Sequence, residues 1–210
     1  LLLGLGLLYR ARDTRIANLC IGVFWAIVVT NIFTIPMFLL ARLAGPPRTD
    51  AVVQFDRLVG IELPDILALK SIYPYGFWLV TASYDLLMPA LIATLILMIG
   101  AGNGRHCREF FIALFVSGLL GFALFFFIPV EGPWHPYGFS PDVDQAEIDR
   151  VHYLIRQAHV FTIPLNFRLG LVFLPSFHTI LPILILFAIR GSRLALAATT
   201  PLVLVIILST

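Results

Sequence analysis

Charge is what this sequence has least of. Only 12% of its 210 residues are Asp, Glu, Lys or Arg, while 60% are apolar and the mean hydropathy is +0.96. A chain so composed cannot clothe itself in polar surface, which excludes water as the solvent for most of it. Cysteine is nearly missing as well. Cys20 falls in an apolar run and Cys107 in a short loop, which excludes a disulfide framework and a cysteine zinc site. The net charge of +2 is spread over loops, so a nucleic-acid partner is excluded too. There is no internal repeat. With no initiator Met and an apolar run at each end, the sequence is expected to be cut short at both ends relative to the native chain, which leaves a signal peptide undecided.

What is present is long apolar runs. A hydrocarbon layer about 30 Å thick is crossed by roughly 20 apolar helical residues. Windows of that kind cover about 16–41, 75–100 (broken only by Asp85), 110–130 and 169–189, and a fifth begins at Leu194 and is still apolar at Thr210. Leu1 to Tyr9 reads as the tail of an earlier span. The expected fold class is therefore an all-α, polytopic transmembrane helix bundle. Residues 1–210 are expected to form a single membrane-embedded domain, with about six spans in the full-length protein.

Loop charge sets an expected orientation. Arg10, Arg12, Arg15, Arg105, Arg108, Arg190 and Arg193 are concentrated in three short loops. The other basic residues are diluted in the longer segments 42–74 and 131–168, which also hold nine carboxylates. The positive-inside rule places the short loops in the cytoplasm and the two long segments outside. The stretch 54–61 is amphipathic and suits a membrane surface, and 142–159 could form a helix. Trp134 and Tyr137 read as interfacial anchors, and Phe125 to Phe127 as lipid-facing or packing residues.

Where the fourth window enters from outside, Pro175, Ser176, His178 and Thr179 place polar side chains at the mouth of a hydrophobic helix. Proline suits a first helical turn and fixes a helix start there. The exposed N–H groups and positive dipole end of such a helix cradle phosphate, with the Ser176 hydroxyl as a further donor. His178, one turn in, can give a proton to a leaving oxygen.

Pro-Ser-any-His-Thr at the outer start of a helix resembles the central motif of the type 2 phosphatidic acid phosphatase superfamily. Phe55-Asp56 to Gly60, Gly132-Pro133-Trp134, and Arg156 followed by Gly170 and the Pro175 motif resemble, in order, its branch related to inositol phosphorylceramide synthases. The resemblance spans most of 50–190 and implies phosphoryl transfer through a phosphohistidine, with neither metal nor cofactor. It implies that Ser176 binds phosphate and His178 is the general acid. Arg156 is the leading candidate for the phosphate-binding cation and Arg168 the second, since a guanidinium binds phosphate oxygens in pairs. The nucleophilic His and its orienting Asp belong to a later motif, expected just after Thr210, so the 210 residues alone should be inactive. The family's upstream Lys and Arg-Pro motif is absent, as in the synthase-like branch.

Blander readings stand beside these. His178 could be a polar residue near a headgroup, and Arg156 or Arg168 could simply hold lipid phosphates or snorkel. Asp85, at a cost of about 2.5 to 3.5 kcal/mol in mid-span, must face water or the bundle interior. It is a possible pocket residue, although packing with Tyr84 or a hydroxyl accounts for it as well. Pro89 and Pro182 should bend their helices beside Asp85 and His178. His135, His152 and His159 match no metal-ligand spacing.

The function expected is an integral-membrane lipid phosphatase facing the periplasm or exterior, in a bacterial inner membrane to judge by the short loops. Its partners are the lipid substrate and the bilayer. A lipid phosphotransferase differs only in taking an alcohol instead of water as acceptor. A transporter or scaffold in which Asp85 and Arg156 line a path is the reading from another class.

Overall fold

The computed structural model describes residues 1–60, 62–100, 104–132, 134–141, 143–157, 162, 170–172 and 174–209. Among them all regular structure is helical, as expected. In chain order the helices are α1 (Leu2–Tyr9), α2 (Thr14–Leu43), α3 (Thr49–Leu58), α4 (Leu63–Ile72), α5 (Pro74–Asp85), α6 (Leu87–Gly100) and α7 (Gly104–Phe127). After them come α8 (Trp134–Tyr137), α9 (Val143–Gln157), α10 (Phe177–Ile189) and α11 (Arg193–Leu208). Local chemistry sets several boundaries. Asp13 Oδ1 accepts from the Arg15 and Ile16 amides at 2.8 and 3.3 Å, opening α2, and Ser192 Oγ accepts from the Ala195 amide at 3.2 Å, opening α11. Gly60, at φ +77°, follows α3 in a conformation that side chains resist.

Two helices, Thr14–Leu43 and Arg105–Phe127, are long and apolar enough to cross a membrane. The pair α5 and α6 would be a third span, bent by 50° at its break. The fourth window is shorter than expected: α10 starts at Phe177 and has 13 residues, about 20 Å of helix. Proline is the physical reason. The residue before a proline is driven out of the helical region, so Pro175 keeps Leu174 from continuing a helix, and Pro175 itself stands outside the helix it was expected to open.

The chain divides into two compact units. One comprises residues 1–32, 78–118 and 177–210. Its core is built from Leu87, Met98, Phe110, Ile185, Val203 and Ile206, where α10 packs against α6 and α11. Small residues let its helices close in: a Cβ on Gly22 would lie 2.4 Å from Ile99 Cδ1, and one on Gly6 would lie 2.6 Å from Ile21 Cγ1. Glu109 of α7 binds Arg105 at 2.8 Å and also pairs with Arg190 at the C-terminal end of α10.

The other unit comprises residues 33–77 and 119–176, around Phe38, Phe125, Ile148, Val151, Ile155 and Leu171. Phe125 is fully buried while Phe126 and Phe127 are exposed, so the aromatic run serves both packing and surface. Trp134 is not the interfacial anchor expected. It is buried, and its indole N–H donates to Asp149 Oδ2 at 3.0 Å, which holds the ring against α9.

The position of that ring explains the glycine at 132. A Cβ on Gly132 would lie 2.1 Å from the Trp134 ring, and the ring cannot swing away without losing Asp149. Gly132→Ala should therefore cost about 1–3 kcal/mol as an overpacking defect, read as a lowered unfolding midpoint in detergent. An unchanged midpoint would show that the ring yields freely.

Candidate active site

His178 is the second residue of α10, half-buried, and its imidazole lies flat against the phenol ring of Tyr84 in α5. The centroids are 3.9 Å apart and the planes 9° from parallel. The Tyr84 hydroxyl stands 3.2 Å from His178 Nδ1. In so parallel a pair that approach crosses the face of the imidazole, whereas the hydrogen-bonding directions of ring nitrogens lie in the ring plane. Stacking is thus the interaction that holds the pair, and it sets the plane in which His178 can donate or accept.

Tyr84 is available for this because α5 stops one residue later. Asp85 ends α5, and Pro89 lacks the N–H that would have bonded the Asp85 carbonyl. Helical bonding resumes with the Ala90 amide on the Leu86 carbonyl at 2.9 Å. The bend expected beside Asp85 is therefore present, and Asp85 is exposed at the break instead of enclosed in mid-span. One residue earlier, the buried Ser83 hydroxyl donates to Val205 in the last turn of α11 at 3.2 Å and to Val80 at 2.6 Å. The C-terminal end of α11 thus reaches the level of Ser83, beside the Tyr84–His178 pair. The Arg190–Glu109 pair lies at the opposite end of α10 from His178.

Ser176 directly precedes α10, is half-buried, and falls in the second unit. That unit also holds Arg156, in the last turn of α9. Arg156 Nη1 is 3.9 Å from Glu131 Oε1, while its Nε and Nη2 are buried and have no hydrogen-bond partner among the described residues. A guanidinium left so under-satisfied suits an anion. One turn before it, His152 is buried with Nε2 3.1 Å from the Leu171 carbonyl. His135 Nε2 lies 3.1 Å from Asp149 Oδ2. Arg168 and His159 lie outside the described residues.

The model of the PAP2 superfamily matches residues 50–210. The chain belongs to the PAP2 superfamily. No curated protein and no solved structure matches it. PAP2 superfamily members are phosphatases and phosphotransferases, so membership supports an enzyme over a transporter or scaffold, and with the apolar helices it makes this an integral membrane protein. The matched range takes in Asp85, Arg156, Ser176 and His178. Tyr84 was legible only as a packing neighbour of Asp85; the pointer to its position was Pro89, which dictates a break just where an aromatic side chain stands.

Burial pushes the His152 imidazole below its ordinary titration range, against a weaker opposing pull from the Leu171 carbonyl and from Glu131. A histidine with a lowered folded-state value binds its proton more readily unfolded, so it withdraws stability as pH falls from about 6.5 towards that folded value. Thermal midpoints should therefore drop as pH falls below about 6.5, and His152→Gln should flatten that part of the profile. An identical slope in the variant would acquit His152.

Proposed function

We propose that this protein is a lipid phosphatase whose chemistry centres on His178 and proceeds through a phosphohistidine. The observation that carries the reading is the His178 ring, held flat in the first turn of an apolar helix within a chain of the PAP2 superfamily. The N–H groups that open α10, with the Ser176 hydroxyl before them, are suited to the phosphate oxygens. Arg156 supplies a cation with two nitrogens unsatisfied among the described residues, and Arg168 is a second candidate. As an imidazole nucleophile attacks phosphorus, the P–O bond to the lipid breaks. Its electron pair stays on the leaving oxygen, which takes the proton of His178. Water then attacks the phosphohistidine and releases phosphate. By the resemblance, the nucleophile and its orienting Asp belong to a later motif of the family. The last turn of α11 lies beside the Tyr84–His178 pair, because Val205 is bonded to Ser83.

The charge pattern favours an extracytoplasmic site, since His178 and the Arg190–Glu109 pair occupy opposite ends of α10 and arginine-rich short loops favour the cytoplasm. A bacterial inner membrane is the setting proposed. Hydrolysis becomes transfer if an alcohol replaces water, as in the inositol phosphorylceramide synthase branch.

Full-length protein in lipid nanodiscs, assayed on phosphatidic acid and isoprenyl diphosphates with chelator present, tests the proposal. Wild type should release phosphate, and His178→Ala should lose at least about 100-fold in kcat while still inserting into membranes. Retained activity would remove His178 from the mechanism, and a large metal-reversible loss on chelation would count against the metal-free scheme. Arg156→Gln should act mainly on KM, raising it roughly tenfold for a lost charged hydrogen bond.

A further inference from the structure

We infer that Tyr84 is a positioning residue for His178: its ring clamps the imidazole in the plane from which the proton reaches the leaving oxygen. The inference rests on the proposed role of His178 as general acid. An imidazole turns about its side-chain bonds unless contacts oppose it, and general-acid catalysis requires the N–H to point at one oxygen within hydrogen-bond reach. Here an aromatic face 3.9 Å away and 9° from parallel opposes that rotation.

Tyr84 is itself held from both sides along the chain. Ser83 is buried and bonded to Val205 of α11. Asp85 terminates the helix, so Tyr84 occupies its final turn, beside the break that Pro89 enforces. The Tyr84 side chain is nonetheless 40% exposed. A ring recruited only for core packing would be enclosed; this one is partly exposed and covers one face of the imidazole. The hydroxyl, poised 3.2 Å over Nδ1, adds a polar group that can hydrogen-bond the phosphate or its water as the proton moves. The clamp, which needs only the ring, is the essential part.

Leaving-group chemistry separates positioning of an acid from a general structural role. An alkyl oxygen needs a proton to depart, whereas 4-nitrophenolate departs without one. Full-length wild type, Tyr84→Phe, Tyr84→Leu and His178→Ala in nanodiscs would be compared on an alkyl phosphate and on 4-nitrophenyl phosphate. Tyr84→Leu should lose about 10- to 100-fold in kcat on the alkyl ester with KM within about twofold, and less than about threefold on the aryl ester. Tyr84→Phe, which keeps the stacked face, should stay within about threefold on both.

A second readout needs no turnover: carbethoxylation of His178 by diethyl pyrocarbonate, followed by mass spectrometry, should be faster in Tyr84→Leu than in wild type and Tyr84→Phe. Equal carbethoxylation rates, or equal losses on the two esters, would overturn the inference. A dead His178→Ala beside an unimpaired Tyr84→Leu sinks the positioning role alone. Alkyl-ester cleavage surviving in His178→Ala sinks the general-acid reading and this one with it.

Discussion

A backbone surrounded by hydrocarbon has only itself to hydrogen-bond, so a helix passing through lipid stops where something takes over its unpaired groups or forbids the next bond. At two places in this chain proline does the forbidding, whereas Pro36, Pro182 and Pro201 lie inside their helices. Pro89 ends the ladder at Asp85, and Pro175 keeps the preceding residue out of the helix, so that α10 starts at Phe177. Both interruptions fall at the same place in the first unit, because Tyr84, one residue before the first, stacks on His178, one residue after the second. Polar side chains are tolerated there because the helices are already broken. The site follows from where the backbone is allowed to be irregular.

Much of this was legible from hydropathy and proline alone. The apolar windows located α2, the α5–α6 pair, α7 and α11, and Pro89 located the bend. The helix over 143–157 also appeared within the stretch assigned to it. The fourth window misled because residues 169–176 are apolar enough to read as helix, and hydropathy carries no information about the conformation that Pro175 imposes on its neighbour. Trp134 misled for a related reason. An aromatic residue beside Gly and Pro in an outer segment has interfacial composition, but its burial depends on Asp149, fifteen residues away, which no local pattern reveals.

The site residues divide along the same line. His178 and Ser176 announce themselves because Pro-Ser-any-His-Thr is local. Arg156 could be nominated as a cation but not distinguished from any other interfacial arginine. What distinguishes it is three-dimensional: a distant Glu131 at 3.9 Å and two buried nitrogens lacking partners among the described residues. Asp85 went the other way. Its cost in mid-span argued for the bundle interior or water, and it stands exposed at the bend.

The shortness of α10 bears on the kind of substrate. Its 13 residues give about 20 Å of helix between the His178 end and the Arg190 end, against a hydrocarbon core of about 30 Å. If the proposed membrane placement sets Arg190 and Glu109 at headgroup level on one face, His178 would stop roughly 10 Å short of the other face. A free, water-soluble phosphate would have to be drawn down into that depth and stripped of its hydration. A lipid already has its acyl chains there, and need only move its headgroup along the helices to bring phosphorus to the start of α10. Under the proposed function, a histidine so recessed would match a lipid phosphate better than a soluble one, whether water or an alcohol completes the reaction.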